Sequence, residues 1–162
     1  MPGASDHGLG GVSTLTITFI NTNSAATTLI APFTDNLPPG LVIAGTPNVA
    51  TTCGGAGAPT AIPGGSAVTL PTGRTIPGGT VAIPGFCTLT VNVTAPIAGS
   101  YLNTVPVGAL QTSGGNNTVS TGAVVLTVST TPAPTLSERV MIMLAALLAL
   151  FGFAAIRRKA MW

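Results

Sequence analysis

Charged side chains are scarce in this sequence, and their scarcity excludes several classes of protein. Only 5% of the 162 residues are charged and 46% are hydrophobic, whereas an ordinary soluble domain is about 25% charged. From residue 8 to residue 137, only Asp35 and Arg74 carry a charge. A chain without a basic patch has no electrostatic footprint for nucleic acid, so we expect no nucleic-acid partner. The high hydrophobic content argues equally against a disordered chain.

Side chains for acid–base or metal chemistry are also few. His7 is the single histidine, and the three acidic residues are far apart in the sequence. A triad drawn from Asp6, His7 and a serine would lie in a glycine-rich segment with nothing to orient the base. Asp35 is interpreted as a turn residue, with a contribution to Ca²⁺ binding as the alternative. We therefore expect no enzyme, no cofactor and no metal site.

The first residues lack a secretory signal. Residues 1–11 contain neither a basic start nor an apolar run, which are the two marks of a signal peptide. We interpret residues 1–10 as a flexible N-terminal arm with a truncated start, and expect a longer precursor or an upstream start.

The two cysteines, Cys53 and Cys87, cannot make a zinc site by themselves. If the domain is exported, a disulfide between them is favoured, and two buried thiols are the alternative. The bond would close a loop of about 35 residues and contribute roughly 3.5–4 kcal/mol to stability.

Turn residues and alternating segments dominate the rest of the chain, which holds 21 glycines and 14 prolines. Apolar residues alternate with threonine at 14–19 and 87–94, the period of a half-buried strand. The residues from Asp35 to Gly40 read as a turn. We predict strands at 14–19, 29–34, 41–44, 67–70, 80–83, 87–94, 101–105 and 123–128. Closely spaced short strands favour an immunoglobulin-like antiparallel β-sandwich over residues 11–129, with a small barrel as the alternative.

Tyr101 follows a Pro-Ile-Ala-Gly-Ser segment at residues 96–100. Its hydroxyl could bond back to the preceding chain, as in the tyrosine corner of such sandwiches. An ordinary half-buried tyrosine is the alternative.

The C-terminal part has the pattern of a membrane anchor. After a Thr/Pro linker at 130–139, residues 140–156 form 17 uncharged, mostly apolar residues. As a helix they would span about 25 Å, the short end of what crosses a bilayer. A buried core helix is the alternative. Because basic residues beside a span stay in the cytoplasm, residues 157–162, with Arg157, Arg158 and Lys159, would be cytoplasmic and the sandwich outside.

The same tail resembles the bacterial IPTL-CTERM sorting tail, which has a Pro-Thr-Leu motif, a transmembrane helix and a basic end. The motif residues are Pro134, Thr135, Leu136, Ser137 and Glu138. The resemblance implies recognition by an exosortase-type processing enzyme. The chain departs from the family pattern where Ala133 replaces the usual Ile and Arg139–Val140 replaces the usual Trp-Gly.

Residues 10–128 resemble bacterial surface domains of unknown function of the conserved-repeat type. The matching segments are Ser13–Ile17, Asn21, Asp35–Leu41, Cys53–Gly55, Cys87–Val91 and Gly99–Thr104. The resemblance implies an immunoglobulin-like fold and surface display, without an activity. Relatives tend to carry one more strand before the position of Gly10, so we expect that strand to be missing or replaced.

These observations lead to one main hypothesis about function. We expect a non-enzymatic surface module with a structural or adhesive role, anchored in the bilayer or sorted through its tail to the cell surface or matrix. The alternatives are a single-pass membrane protein whose anchor is never cut, and a surface-filament subunit that contacts neighbouring repeats or subunits through a supplied first strand.

Overall fold

A computed structural model of the chain describes residues 6–120 and 124–129, with side chains from residues 9–120 and 125–129. All regular structure in this part is β, as predicted, and it contains no helix. We call it the β domain. Its fourteen strands are β1 Asp6–Gly8, β2 Val12–Asn21, β3 Thr27–Thr28, β4 Phe33–Asn36, β5 Val42–Ile43, β6 Ala50–Thr51, β7 Thr60–Ala61, β8 Ala67–Leu70, β9 Thr75–Ile76, β10 Gly85–Thr94, β11 Gly99–Asn103, β12 Gln111–Thr112, β13 Gly115–Asn116 and β14 Val124–Ser129.

The two longest strands, β2 and β10, pair antiparallel along their whole length. The register runs from Val12 opposite Thr94 to Asn21 opposite Gly85. The alternation read from the sequence explains the pair, because one face of each strand is buried and the other carries threonine. The opposite edge of β10 is occupied by β5 and β6. Both predicted strands are therefore confirmed, and β10 is internal to its sheet.

A second sheet has the order β1-β14-β11. β14 pairs antiparallel with β11, but parallel with β1. The sequence predicted a flexible arm at residues 1–10 and a strand that is missing or replaced before Gly10, whereas the structure places a strand at Asp6–Gly8. Three residues are too few to show a period, and a parallel partner more than a hundred residues away leaves no local signal.

Three further antiparallel sheets complete the described part: β4-β8-β7, β3-β9 and β12-β13. The core is formed by inward apolar residues from several sheets, including Leu89 of β10, Phe33 of β4 and Val68 of β8, and from the loops between them. Phe19 meets Phe33 edge to face, with ring centroids 4.9 Å apart. This arrangement suits the quadrupoles of two aromatic rings.

Several sequence predictions differ from the structure. Residues 80–83 form a turn closed by the Thr80 amide and the Ile83 carbonyl, not a strand. The strand predicted at 29–34 begins only after Pro32, because proline cannot donate to a ladder. Residues 113–114 connect the short strands β12 and β13.

Asp35 lies inside strand β4 and is buried, so its assignment as a turn residue was wrong. The turn itself is displaced to residues 39–40, where Gly40 has a φ of 89° that favours glycine.

The chain divides into two units, Met1–Thr130 and Thr131–Trp162. The second unit lies outside the described residues, and with it the predicted linker, span and basic end. Among the described residues, no helix has the length and apolarity needed to cross a bilayer.

Candidate functional site

The predicted site residues fall into two groups. The sorting motif, Pro134 to Glu138, and the basic stop, Arg157 to Lys159, lie outside the described residues. The structure does bring together Cys53 and Cys87, which form a disulfide with an S–S distance of 2.10 Å. The disulfide alternative is thereby confirmed over two unpaired thiols.

The disulfide is built into the pairing of β6 with β10. Cys87 lies in β10, and Cys53 follows the end of β6 by two residues. The Thr51 hydroxyl donates to the Thr88 carbonyl at 2.7 Å, and the Thr88 amide donates to the Thr52 hydroxyl at 2.8 Å. Both sulfur-bearing residues are buried. The bond therefore locks a short edge strand to the central strand, inside the core.

Arg74 holds the loop that leaves this disulfide. Its Nη1 donates to the carbonyls of Cys53 at 2.9 Å and Gly55 at 3.0 Å, and its Nη2 donates to the carbonyl of Gly57. A guanidinium has several donors in a fixed fork, so one side chain can hold several carbonyls of a turn. The guanidinium therefore serves to hold this loop in place. Its Nε is buried without a hydrogen-bond partner.

Asp35, in β4, forms a buried polar pair with Asn103, the last residue of β11. Asn103 Nδ2 donates to Asp35 Oδ2 at 2.6 Å, and the two side chains are 2% and 7% exposed. Asp35 Oδ1 and Asn103 Oδ1 are both buried without a hydrogen-bond partner. Burial raises the pKa of the Asp35 carboxyl, and the hydrogen bond from Asn103 opposes the change only in part.

The Asp35–Asn103 pair is too small for the Ca²⁺ alternative. Ca²⁺ takes 6–8 oxygen ligands, and the described residues contain no group of three or more acidic, cysteine or histidine side chains. A protonated Asp35 carboxyl would add an O–H donor to this site, which a carboxylate cannot do.

Tyr101 closes the corner between β10 and β11. Its hydroxyl donates to the carbonyl of Ile97 at 2.7 Å, four residues upstream. Its ring lies against Gly40, where an added Cβ would be 2.9 Å from the ring. The structure therefore favours the tyrosine corner over an ordinary half-buried tyrosine.

An apolar cleft of about 200 Å³ runs along the edge of β2. Four consecutive residues, Ile17–Ile20, line it together with Phe33, Val105, Leu110 and Asn117. Successive side chains of a strand point to opposite faces, so four in a row are reached only from the strand's edge. A neighbouring polar cleft of about 210 Å³ shares Ile20, Leu110 and Asn117 with it.

The polar cleft is built of loop-forming groups. The Asn117 side chain accepts from the Leu110 amide and donates to the carbonyls of Pro106 and Val119. The Thr27 hydroxyl accepts from the Gly114 amide. No ionisable side chain lines either cleft. The arrangement is suited to binding by shape and backbone contact.

Sequence reasoning missed the roles of Arg74 and Asn103. One signal was available, because Arg74 and Asp35 are the only charged residues over more than a hundred positions. Burying a charge costs free energy unless the charge is paired or hydrogen-bonded. A lone charge in an otherwise neutral domain is therefore a candidate for a structural role within it. Nothing local distinguished Asn103 from the other asparagines.

The geometry first defines a class: an all-β domain with a buried disulfide, in which the described charged side chains, Asp35 and Arg74, are hydrogen-bonded to groups of the domain itself. Residues 3–128 match the model of a family described as a domain of unknown function (DUF7933). The match covers more than half of the chain, and the chain belongs to this family. No curated protein and no solved structure shows significant similarity to it.

Proposed function

We propose that this chain is a non-enzymatic module of the bacterial cell surface, exported and then anchored or sorted through its C-terminal tail. The observation that carries the proposal is the buried disulfide between Cys53 and Cys87. Disulfides form and persist in oxidising compartments outside the cytosol, so the β domain belongs on the far side of a membrane.

The distribution of charge supports the same location. The described side chains include two formal charges, and both are engaged inside the β domain, Asp35 with Asn103 and Arg74 with carbonyls. Positive charge is concentrated instead at Arg157, Arg158 and Lys159. Basic residues next to an apolar run hold that end in the cytoplasm.

We further propose that the β domain is an immunoglobulin-like sandwich, joined by a linker to one transmembrane helix at 140–156. Two features support the sandwich. All described strand pairings except that of β1 with β14 are antiparallel, and Tyr101 forms the corner hydrogen bond characteristic of such sandwiches.

The role we propose for the module is structural or adhesive. General acid–base catalysis needs a positioned group whose pKa lies near the working pH. Among the described side chains, the single carboxyl is that of Asp35. It is buried against Asn103 and lines neither cleft. The clefts offer apolar surface and strand backbone, which suit contact with another chain.

The sorting step is tested by the intact mass of the mature protein isolated from its native cells. Processing at the Pro134–Glu138 motif predicts a chain that has lost its C-terminus. Replacing Thr135 with alanine should reduce the processed fraction, while the matched change Thr131→Ala, outside the motif, should not. A mature protein that retains Trp162 would refute sorting.

A single-pass protein with an uncut anchor is the second candidate. Ala133 and Arg139–Val140, where the sorting tail has other residues, favour it. The filament alternative loses its motivation, because β1 already pairs with β14 before Gly10.

A further inference from the structure

Strand β2 has one free edge in the described part of the chain. Its ten residues pair with β10 on one side, and no described strand pairs with the other side. In an antiparallel ladder, alternate residues direct both N–H and C=O to the same neighbour. Every second residue of β2 therefore directs its backbone groups to the unpaired edge.

This edge lacks the features that keep sheet edges apart. Natural edges are protected by lysine, proline, bulges or short length. From Val12 to Asn21 there is no charged residue, no proline and no glycine. The ten pairs with β10 are consecutive, so no bulge interrupts the strand.

The apolar cleft lies directly beside the same edge. Phe33, Val105 and Leu110 line it opposite the backbone of Ile17–Ile20. A strand added to β2 would place its inward side chains against this apolar wall. Backbone hydrogen bonds with an adjacent side-chain pocket are the two elements of recognition by strand addition.

The chemistry of the edge selects its partner. An added strand must be long, neutral and alternating, because a charge would be desolvated there without a counter-charge. Of the described strands, two reach ten residues, β2 and β10. β10 is paired on both sides, which leaves β2.

We propose that the free edge of β2 binds β2 of a second copy of this chain, antiparallel and about a two-fold axis. The contact is isologous, so it consumes the free edge of both copies and closes as a dimer. Nothing in the strand opposes the contact, because like charges are absent. The interface uses the β domain alone and goes beyond the proposed function, so its failure would leave sorting through the tail untouched.

The pleat restricts the register. A shift of one residue would exchange the two faces, so Leu15, Ile17 and Phe19 must stay inward in both copies. Strand β2 is centred between Thr16 and Ile17, so the overlap of the two strands is greatest when the two-fold axis lies near these residues. Three registers then remain. Thr16 lies opposite Thr16 of the second copy, Thr16 lies opposite Thr18, or Thr18 lies opposite Thr18.

Thr90 provides a matched control position. It lies opposite Thr16 in the β2–β10 pair, on the same outer face, but one strand further from the edge. In the dimer the two Thr90 residues would be separated by three strand spacings, about 14 Å. A disulfide requires Cα atoms within about 7 Å.

The test is oxidative cross-linking of the full-length protein in membranes. The variants are Thr16→Cys, Thr18→Cys, the double variant Thr16→Cys/Thr18→Cys, and Thr90→Cys as control. The natural cysteines form one disulfide and supply no thiol. We expect a covalent dimer from at least one of the three edge variants and none from Thr90→Cys.

Two results would overturn the proposal. One is the absence of dimer from all three edge variants, provided that Cys53 and Cys87 stay protected from a thiol reagent, which shows that the domain is folded. The other is an equal dimer yield from Thr90→Cys, which would indicate random collision or association through the tail.

Discussion

At the scale of single residues, burial alters the chemistry of Asp35. Its carboxyl accepts one hydrogen bond from Asn103. Desolvation disfavours the charged form, which raises its pKa above the ordinary value of 3.8. A group whose pKa is raised by folding contributes its full stabilisation of the folded state when the pH is below its unfolded pKa. That stabilisation is lost as the pH rises through the folded pKa.

The substitution Asp35→Asn should remove this pH dependence. Asparagine keeps the acceptor for Asn103 Nδ2 and adds a donor for the unpaired Asn103 Oδ1. We expect the variant to match or exceed the wild type at pH 7, by up to about 2 kcal/mol, and to lose that advantage below pH 3.8. The measurement is denaturant unfolding of both full-length proteins between pH 3 and 8.

Asp35→Ala is the control for that comparison. It removes the acceptor and leaves the Asn103 amide buried without a partner, which should cost about 1–3 kcal/mol below pH 3.8. The cost should be smaller at higher pH, because the wild type loses stability as the pH rises through the pKa of Asp35 and the alanine variant does not. If Asp35→Asn proved as destabilising as Asp35→Ala at pH 7, the assigned role of the pair would be wrong.

At the scale of elements, Tyr101 fixes how β10 turns into β11. Its hydroxyl bonds to Ile97 within the connecting segment, and its ring packs on Gly40 in a different loop. The contact therefore joins two loops that are about sixty residues apart in the sequence. Neither loop has an alternating pattern that would hold it alone.

The substitution Tyr101→Phe tests this corner. The ring contact with Gly40 is kept and one hydrogen bond is lost, so the free energy of unfolding should fall by about 1 kcal/mol. Thr14→Val is a matched control, since it also deletes one hydroxyl hydrogen bond, to the exposed Asn92 side chain. Thermal unfolding followed by circular dichroism should show a larger loss of stability for Tyr101→Phe than for Thr14→Val. Equal losses would argue against the corner.

At the scale of the whole molecule, the proposed orientation across the membrane depends on few charges. Arg157, Arg158 and Lys159 lie on one side of the apolar run, and Arg139 lies on the other. The excess of basic residues on one side is what fixes the orientation of a span.

Replacing Arg157, Arg158 and Lys159 with glutamine should therefore produce chains of mixed orientation. Protease added outside intact cells would then degrade the β domain in a smaller fraction of the molecules. The variant Arg139→Gln removes a basic residue from the opposite side and should leave the orientation unchanged. Unaltered protease accessibility in the triple variant would remove the main support for this topology.

The sequence by itself determined the features that depend on near neighbours. Alternation of threonine with leucine, isoleucine and valine predicted the two long strands, because the pleat has a period of two. The sequence favoured a disulfide between Cys53 and Cys87 on condition that the domain is exported, and the structure contains that disulfide. Gly40 was predicted in a turn, and its positive φ needs glycine.

Tertiary structure alone decided which distant groups meet. Asp35 and Asn103 are 68 residues apart, and β1 finds a partner at the other end of the domain. The open edge of β2 is also a tertiary property, because Thr14–Thr18 and Thr88–Thr94 have nearly the same pattern, yet one strand is central and the other is at an edge. Local pattern fixes the faces of a strand, whereas the neighbours along its edges follow from the order in which the sheet is assembled.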